Sequence, residues 1–181
     1  MKKLISMFLV AGLMICGMVV NASAGTSDTF GISASIDNTT LSITLQDTAE
    51  TPGDYTTWAI GSKAVNTATT MTSAQGIKIV VVTSFPIDIN AAAGTSAGGG
   101  SWTADTAAGS SKYKLELKPF SAQEATPSLE SGATVIAATA TEFDPIVSSG
   151  SRWAYAKFTT PTVTTSGAAQ TVTVTITAVV H

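Results

Sequence analysis

Residues 171–180 read TVTVTITAVV, and this stretch decides the fold. Val172, Val174, Ile176, Ala178 and Val180 fall on one side of an extended chain, and Thr171, Thr173, Thr175 and Thr177 on the other. A period of two matches the pleat of a β-strand and has no use on a helix, whose side chains repeat at about 3.6 residues. The threonine row suits a wet face, since a β-branched side chain fits the strand backbone while its hydroxyl tolerates water. The sequence therefore predicts a strand over 171–180 with its aliphatic row turned to a core.

The same signal recurs upstream. Phe30, Ile32, Ala34 and Ile36 alternate with small polar residues, and Leu41, Ile43 and Leu45 follow the turn-forming Asp37-Asn38-Thr39, which predicts a hairpin. Tyr113, Leu115 and Leu117 alternate with Lys112, Lys114, Glu116 and Lys118, which puts the charges on a solvated face. Ile77 to Thr83 is more uniformly aliphatic and predicts a central strand covered on both faces. Phe85, Ile87 and Ile89 come next, with Pro86 confining that segment to an edge or a strand start. Trp58 with Ile60, Val135 to Thr141 (within the alanine-rich Ala133 to Ala140) and Trp153 to Phe158 complete a set of short strands. Thr48 to Tyr55, Ala91 to Ser101 and Pro119 to Gly132 read as loops, the second the most flexible at Gly98-Gly99-Gly100. Many short strands joined by turn-rich loops imply an all-β fold: a single antiparallel β-sandwich, immunoglobulin-like or jelly-roll-like, with Trp, Phe, Ile and Val in its core.

Residues 1–24 carry the pattern of a cleaved signal peptide. Lys2 and Lys3 precede an apolar run from Leu4 to Val20, and Ala22-Ser23-Ala24 supplies the small-x-small cleavage step. The expected domains are thus residues 1–24, the signal peptide, and residues 25–181, one β-sandwich domain, exported to the extracellular space, the cell surface or the periplasm. The bulky Ile15 before Cys16 argues against a lipid-attachment motif. Cys16 is the only cysteine, so after cleavage no disulfide can form. The mature chain has no transmembrane helix candidate, and a membrane barrel needs an apolar outer band where this chain places Thr, Ser and Lys. The chain has 9 Lys and Arg against 12 Asp and Glu; Lys2 and Lys3 lie in the leader, which leaves 7 basic residues and a net charge of about -5. Nothing there neutralises a phosphate backbone, so nucleic acid is excluded as a partner.

The residues for most reaction chemistry are missing. Serine-type catalysis needs a base beside the hydroxyl, and the only histidine is His181, the last residue. The absence of mature cysteine and of any other histidine removes thiol catalysis and nearly all transition-metal sites. Glu142 and Asp144 are close in sequence, the minimum for a carboxylate glycoside hydrolase, but nothing sets either opposite another acid. Asp47, Glu50 and Asp54 in a turn-rich loop are candidate calcium ligands, although their spacing is not that of an EF-hand. Asn38-Thr39-Thr40 fits a glycosylation triplet, but such triplets recur by chance and Asn38 is expected to serve its turn. Among the tryptophans, Trp58 and Trp153 sit in alternating segments and are expected in the core. Trp102, after the Gly-rich loop, is the candidate exposed aromatic for stacking on a sugar. No cofactor is expected.

The final TVTVTITAVV with WAYAKFTTPT before it resembles the uncharacterised secreted, Thr-rich β-sandwich surface proteins of bacteria. FGISASI and TVTVTITAVV are also similar in style to fimbrial subunits, without the disulfide or the aromatic residue near the C-terminus found in many of them. The resemblance implies a structural role outside the cell and supplies no site residues. The expected function is a secreted, non-enzymatic structural or surface-interaction protein, self-associating as a homo-oligomer through strand addition. The alternative is a module that binds an extracellular protein or glycan through exposed aromatics.

Overall fold

The computed structural model describes residues 41–50 and 55–181. The leader, the strand expected over Phe30–Ile36, the turn at Asn38 and Asp54 lie outside the described residues. In chain order the strands are β1 (Leu41–Gln46), β2 (Ala68–Thr70), β3 (Ile77–Thr83), β4 (Ile87–Ala93), β5 (Thr103–Ala104), β6 (Lys112–Phe120), β7 (Thr134–Ile136), β8 (Thr141–Val147), β9 (Gly150–Thr159) and β10 (Val174–Val180). The larger sheet runs β1-β3-β9-β6-β5, with β2 on β9 and β7 on β6, and the smaller runs β10-β4-β8. The protein is all-β, with two sheets sharing one hydrophobic core. The pairing is antiparallel between strands except at β5–β6, two residues that run parallel. There the loop over 105–111 returns the chain so that β6 starts beside the start of β5.

Alternation explains which rows are buried. On β3, Ile77, Ile79 and Val81 are buried, whereas Val82 on the other face is 48 % exposed, so β3 is central in its sheet but not covered on both faces. On β6, Tyr113, Leu115 and Leu117 face inward as expected, and the Tyr113 ring stacks on Phe158 at 5.2 Å between centroids. Covering on both faces belongs to β9 instead. Trp153, Ala154, Tyr155 and Ala156 are all buried. The ladder with β3 and β6 sets Ala154 and Ala156 beside Ile77 and Leu117 on the inner row, and Trp153 and Tyr155 beside Phe120 and Lys118 on the outer one. Phe120 meets Tyr155 edge-on at 5.5 Å, and Glu124 of the following loop donates its N–H to the Tyr155 hydroxyl at 3.0 Å. Gly76 lies so close that a Cβ there would sit 2.7 Å from the Tyr155 ring.

In the smaller sheet, Ile87, Ile89, Ala91 and Ala93 of β4 face the core with at most 1 % exposure. Pro86 stands just before β4, where its missing N–H breaks no ladder bond. Ala91 to Ala93, expected as loop, belong to β4. Small side chains suit that end, where the Tyr113 hydroxyl reaches the Gly94 carbonyl at 2.5 Å.

Three further expectations are corrected. Trp58 and Ile60 pack partly buried against the core but lie in no strand, because an extended loop shows the same alternation without a ladder. Within Ala133 to Ala140 only Thr134–Ile136 is strand; Ala138 to Ala140 are exposed and turn the chain into β8. β10 starts at Val174 rather than Thr171, which makes only an isolated bridge to Ala97. Its inward row is right in direction, with Ile176 and Ala178 packed against the core, but Val174 and Val180 are 37 % and 52 % exposed. An edge strand has a covering neighbour on one side only.

That gradient is measurable. Ile89→Ala, at a side chain with no exposed area, is expected to cost about 2–5 kcal/mol in a urea titration. Ile176→Ala on the edge is expected to lose less than half of that, and Thr175→Ala no more than about 0.5 kcal/mol. Equal losses at Ile89 and Ile176 would show that the edge is as well covered as the centre.

Candidate functional site

Around Trp102 the Gly-rich turn is held by a residue far away in sequence. Gln170 accepts from the Ser96 hydroxyl at 2.9 Å and the Gly100 N–H at 3.2 Å, and its amide donates to the Gly98 carbonyl at 2.9 Å. Ala97 and Thr171 exchange backbone bonds at 2.8 and 2.9 Å. Gly98, at φ +122°, passes so near this strap that a Cβ would fall 2.0 Å from the Ala169 carbonyl oxygen. The expected flexible tip is thus bonded on both sides. Trp102 itself is half-buried, donates its backbone N–H to Ser96 Oγ at 2.8 Å and its indole N–H to Thr164 Oγ1 at 2.9 Å. Its polar edge is satisfied and its ring packs, partly buried, against the core.

Two of the three calcium candidates lie among the described residues. Asp47 Oδ1 accepts from the Ala49 N–H at 2.9 Å, and Glu50 pairs with Lys78 at 2.8 Å; Asp54 is outside the described residues. Among the described residues no group of three or more His, Cys, Asp or Glu side chains forms a metal cluster. Glu142 is exposed on β8. Asp144 is buried, and Arg152 Nε lies 3.3 Å from its Oδ2, near enough to pair charges although that oxygen accepts no well-formed hydrogen bond. Burial raises the Asp144 carboxyl above its ordinary value of 3.8, and the Arg152 charge pulls it partly back. Burial also pushes the Tyr55 and Tyr113 hydroxyls up to about 12, which keeps both protonated as hydrogen-bond donors at neutral pH. His181 is tied down, with Nδ1 2.9 Å from Asp88 and its N–H bonded to the Pro86 carbonyl. The contacts of Gln170, Arg152 and Asp88 had no sequence signal, since each joins segments that only folding brings together.

What the arrangement offers to a partner is a strand edge. Among the described residues β10 is the outer strand of the smaller sheet, in register with β4 over all seven residues, and Val174, Val179 and Val180 are exposed along it. No helix among the described residues is long and apolar enough to cross a membrane. In comparisons with known proteins, the chain matches no family model, no curated protein and no solved structure.

Two outcomes check these assignments. Gln170→Ala removes three bonds from the Gly-rich turn and is expected to cost about 1–3 kcal/mol while speeding hydrogen exchange at the Gly100 amide; unchanged exchange would show that the turn holds without it. The raised Asp144 means the folded state holds its proton more tightly than the unfolded chain. Stability therefore falls as pH rises from near 3.8 through the elevated folded value, and Asp144→Asn is expected to flatten that part of a denaturation-versus-pH profile.

Proposed function

We propose that this chain is an exported, non-enzymatic structural or surface-interaction protein, a sandwich of immunoglobulin-like or jelly-roll-like type that associates through a strand edge. The observation that carries this reading is β10. Natural sheets blunt their outer strands with charge, proline, bulges or a covering segment, because unpaired N–H and C=O groups invite another strand. β10 carries no charge and no proline, and its register with β4 is unbroken. The pattern of residues 1–24 supports export. The bonded indole of Trp102 favours contact through the backbone edge over stacking on a glycan.

Association through main-chain hydrogen bonds and apolar rows depends little on salt, unlike an ion-paired interface. Light scattering on the exported protein is expected to find species larger than a monomer as concentration rises, at low and high salt alike. A monomer at every concentration under both conditions would overturn the reading.

A further inference from the structure

We propose that β10 pairs with β10 of a second copy, antiparallel about a two-fold axis at Thr177, joining two three-stranded sheets into one of six strands. The inference rests on the edge-association reading and names its partner.

Charge selects the surface. Two copies of a chain with net charge -3 repel each other, and they meet most easily where neither presents a charge. Thr159 to Val180 contains no Asp, Glu, Lys or Arg, and β10 is the strand of that stretch that forms a sheet edge. The opposite edge of the same sheet is protected. β8 carries Glu142, Asp144 and Pro145, and its ladder with β4 shifts register twice. A self-pair of β8 would set like charges side by side across a bent ladder.

Register selects the axis. With Thr177 opposite itself, Thr175 faces Val179, Ile176 faces Ala178 and Val174 faces Val180. Every inward residue then meets an inward residue, because antiparallel partners opposite one another point to the same face. A slip of one residue would set aliphatic side chains against threonines and turn one row the wrong way. In the proposed register Val174 and Val180, now 37 % and 52 % exposed, become neighbours across the new ladder. A contact in which the same patch serves both copies closes on itself, so it yields a dimer and not a fibre. Seven residues of ladder fall short of the roughly 1,200 Å² that a stable interface buries. The pairing is therefore weak and concentration-dependent.

Cysteine trapping tests both partner and register. In the exported protein, which loses Cys16 with the leader, Thr177→Cys supplies the only thiol. Directly opposed residues hold their Cβ atoms about 4.5–5.5 Å apart, close to disulfide reach. Mild oxidation at concentrations where association is seen is expected to give a covalent dimer, whereas Ser42→Cys on the β1 edge and Glu142→Cys on the β8 edge give none. Thr177→Lys, at an exposed position, is expected to weaken association by about tenfold by opposing two ammonium groups, and both variants are checked for native unfolding midpoints. Association with crosslinking only through residue 42 or 142 would overturn the β10 pairing and leave the edge reading standing. Absence of association in the unsubstituted protein would overturn both.

Discussion

Burial of both faces of β9 is the constraint on which the rest of the larger sheet depends. β9 hydrogen-bonds to β3 and β2 along one edge and to β6 along the other, so its backbone groups are satisfied on both sides. Its small inward residues, Ala154 and Ala156, lie in the layer shared with the smaller sheet, and its large outward ones, Trp153 and Tyr155, need a second cover. That cover is made by Phe120 and the loop carrying Glu124, and it leaves no room for a side chain at Gly76. One strand thus sets where two layers of side chains and one loop must go.

From that centre, order falls off toward the rims. β4 is the smaller sheet's counterpart of β9, with an inner row that has at most 1 % exposure, and both its neighbours are edges. The two edges are unlike. β8 is irregular and acidic, while β10 is straight, uncharged and half-covered. Main-chain groups at an edge have the same geometry whoever supplies the next strand, so charge and irregularity are what distinguish the two rims.

Local alternation was legible where a strand met the core squarely, as at Tyr113, Leu115 and Leu117, whereas along β1 the row is only partly buried at Ile43 and Leu45 and exposed at Leu41. It misled at Trp58 and Ile60, where an extended loop imitates the same period. It was silent on the Gly-rich turn, whose order comes from Gln170, 72 residues beyond Gly98. Trp102 looked free for the same reason: composition shows an aromatic beside glycines but not the Thr164 hydroxyl that takes its indole proton.

The sequence by itself determined that this chain forms strands and, within each, which residues share a face, because both follow from the two-residue pleat and need only near neighbours. Tertiary structure alone decided what covers each face and each edge. It placed TVTVTITAVV at a rim, where its apolar row is half-exposed, and WAYAKF at a centre, where both rows are buried. Those positions depend on ladders between segments far apart in the chain, such as β10 with β4 and β9 with β3. No local pattern encodes which of two well-formed strands finds a partner on both sides.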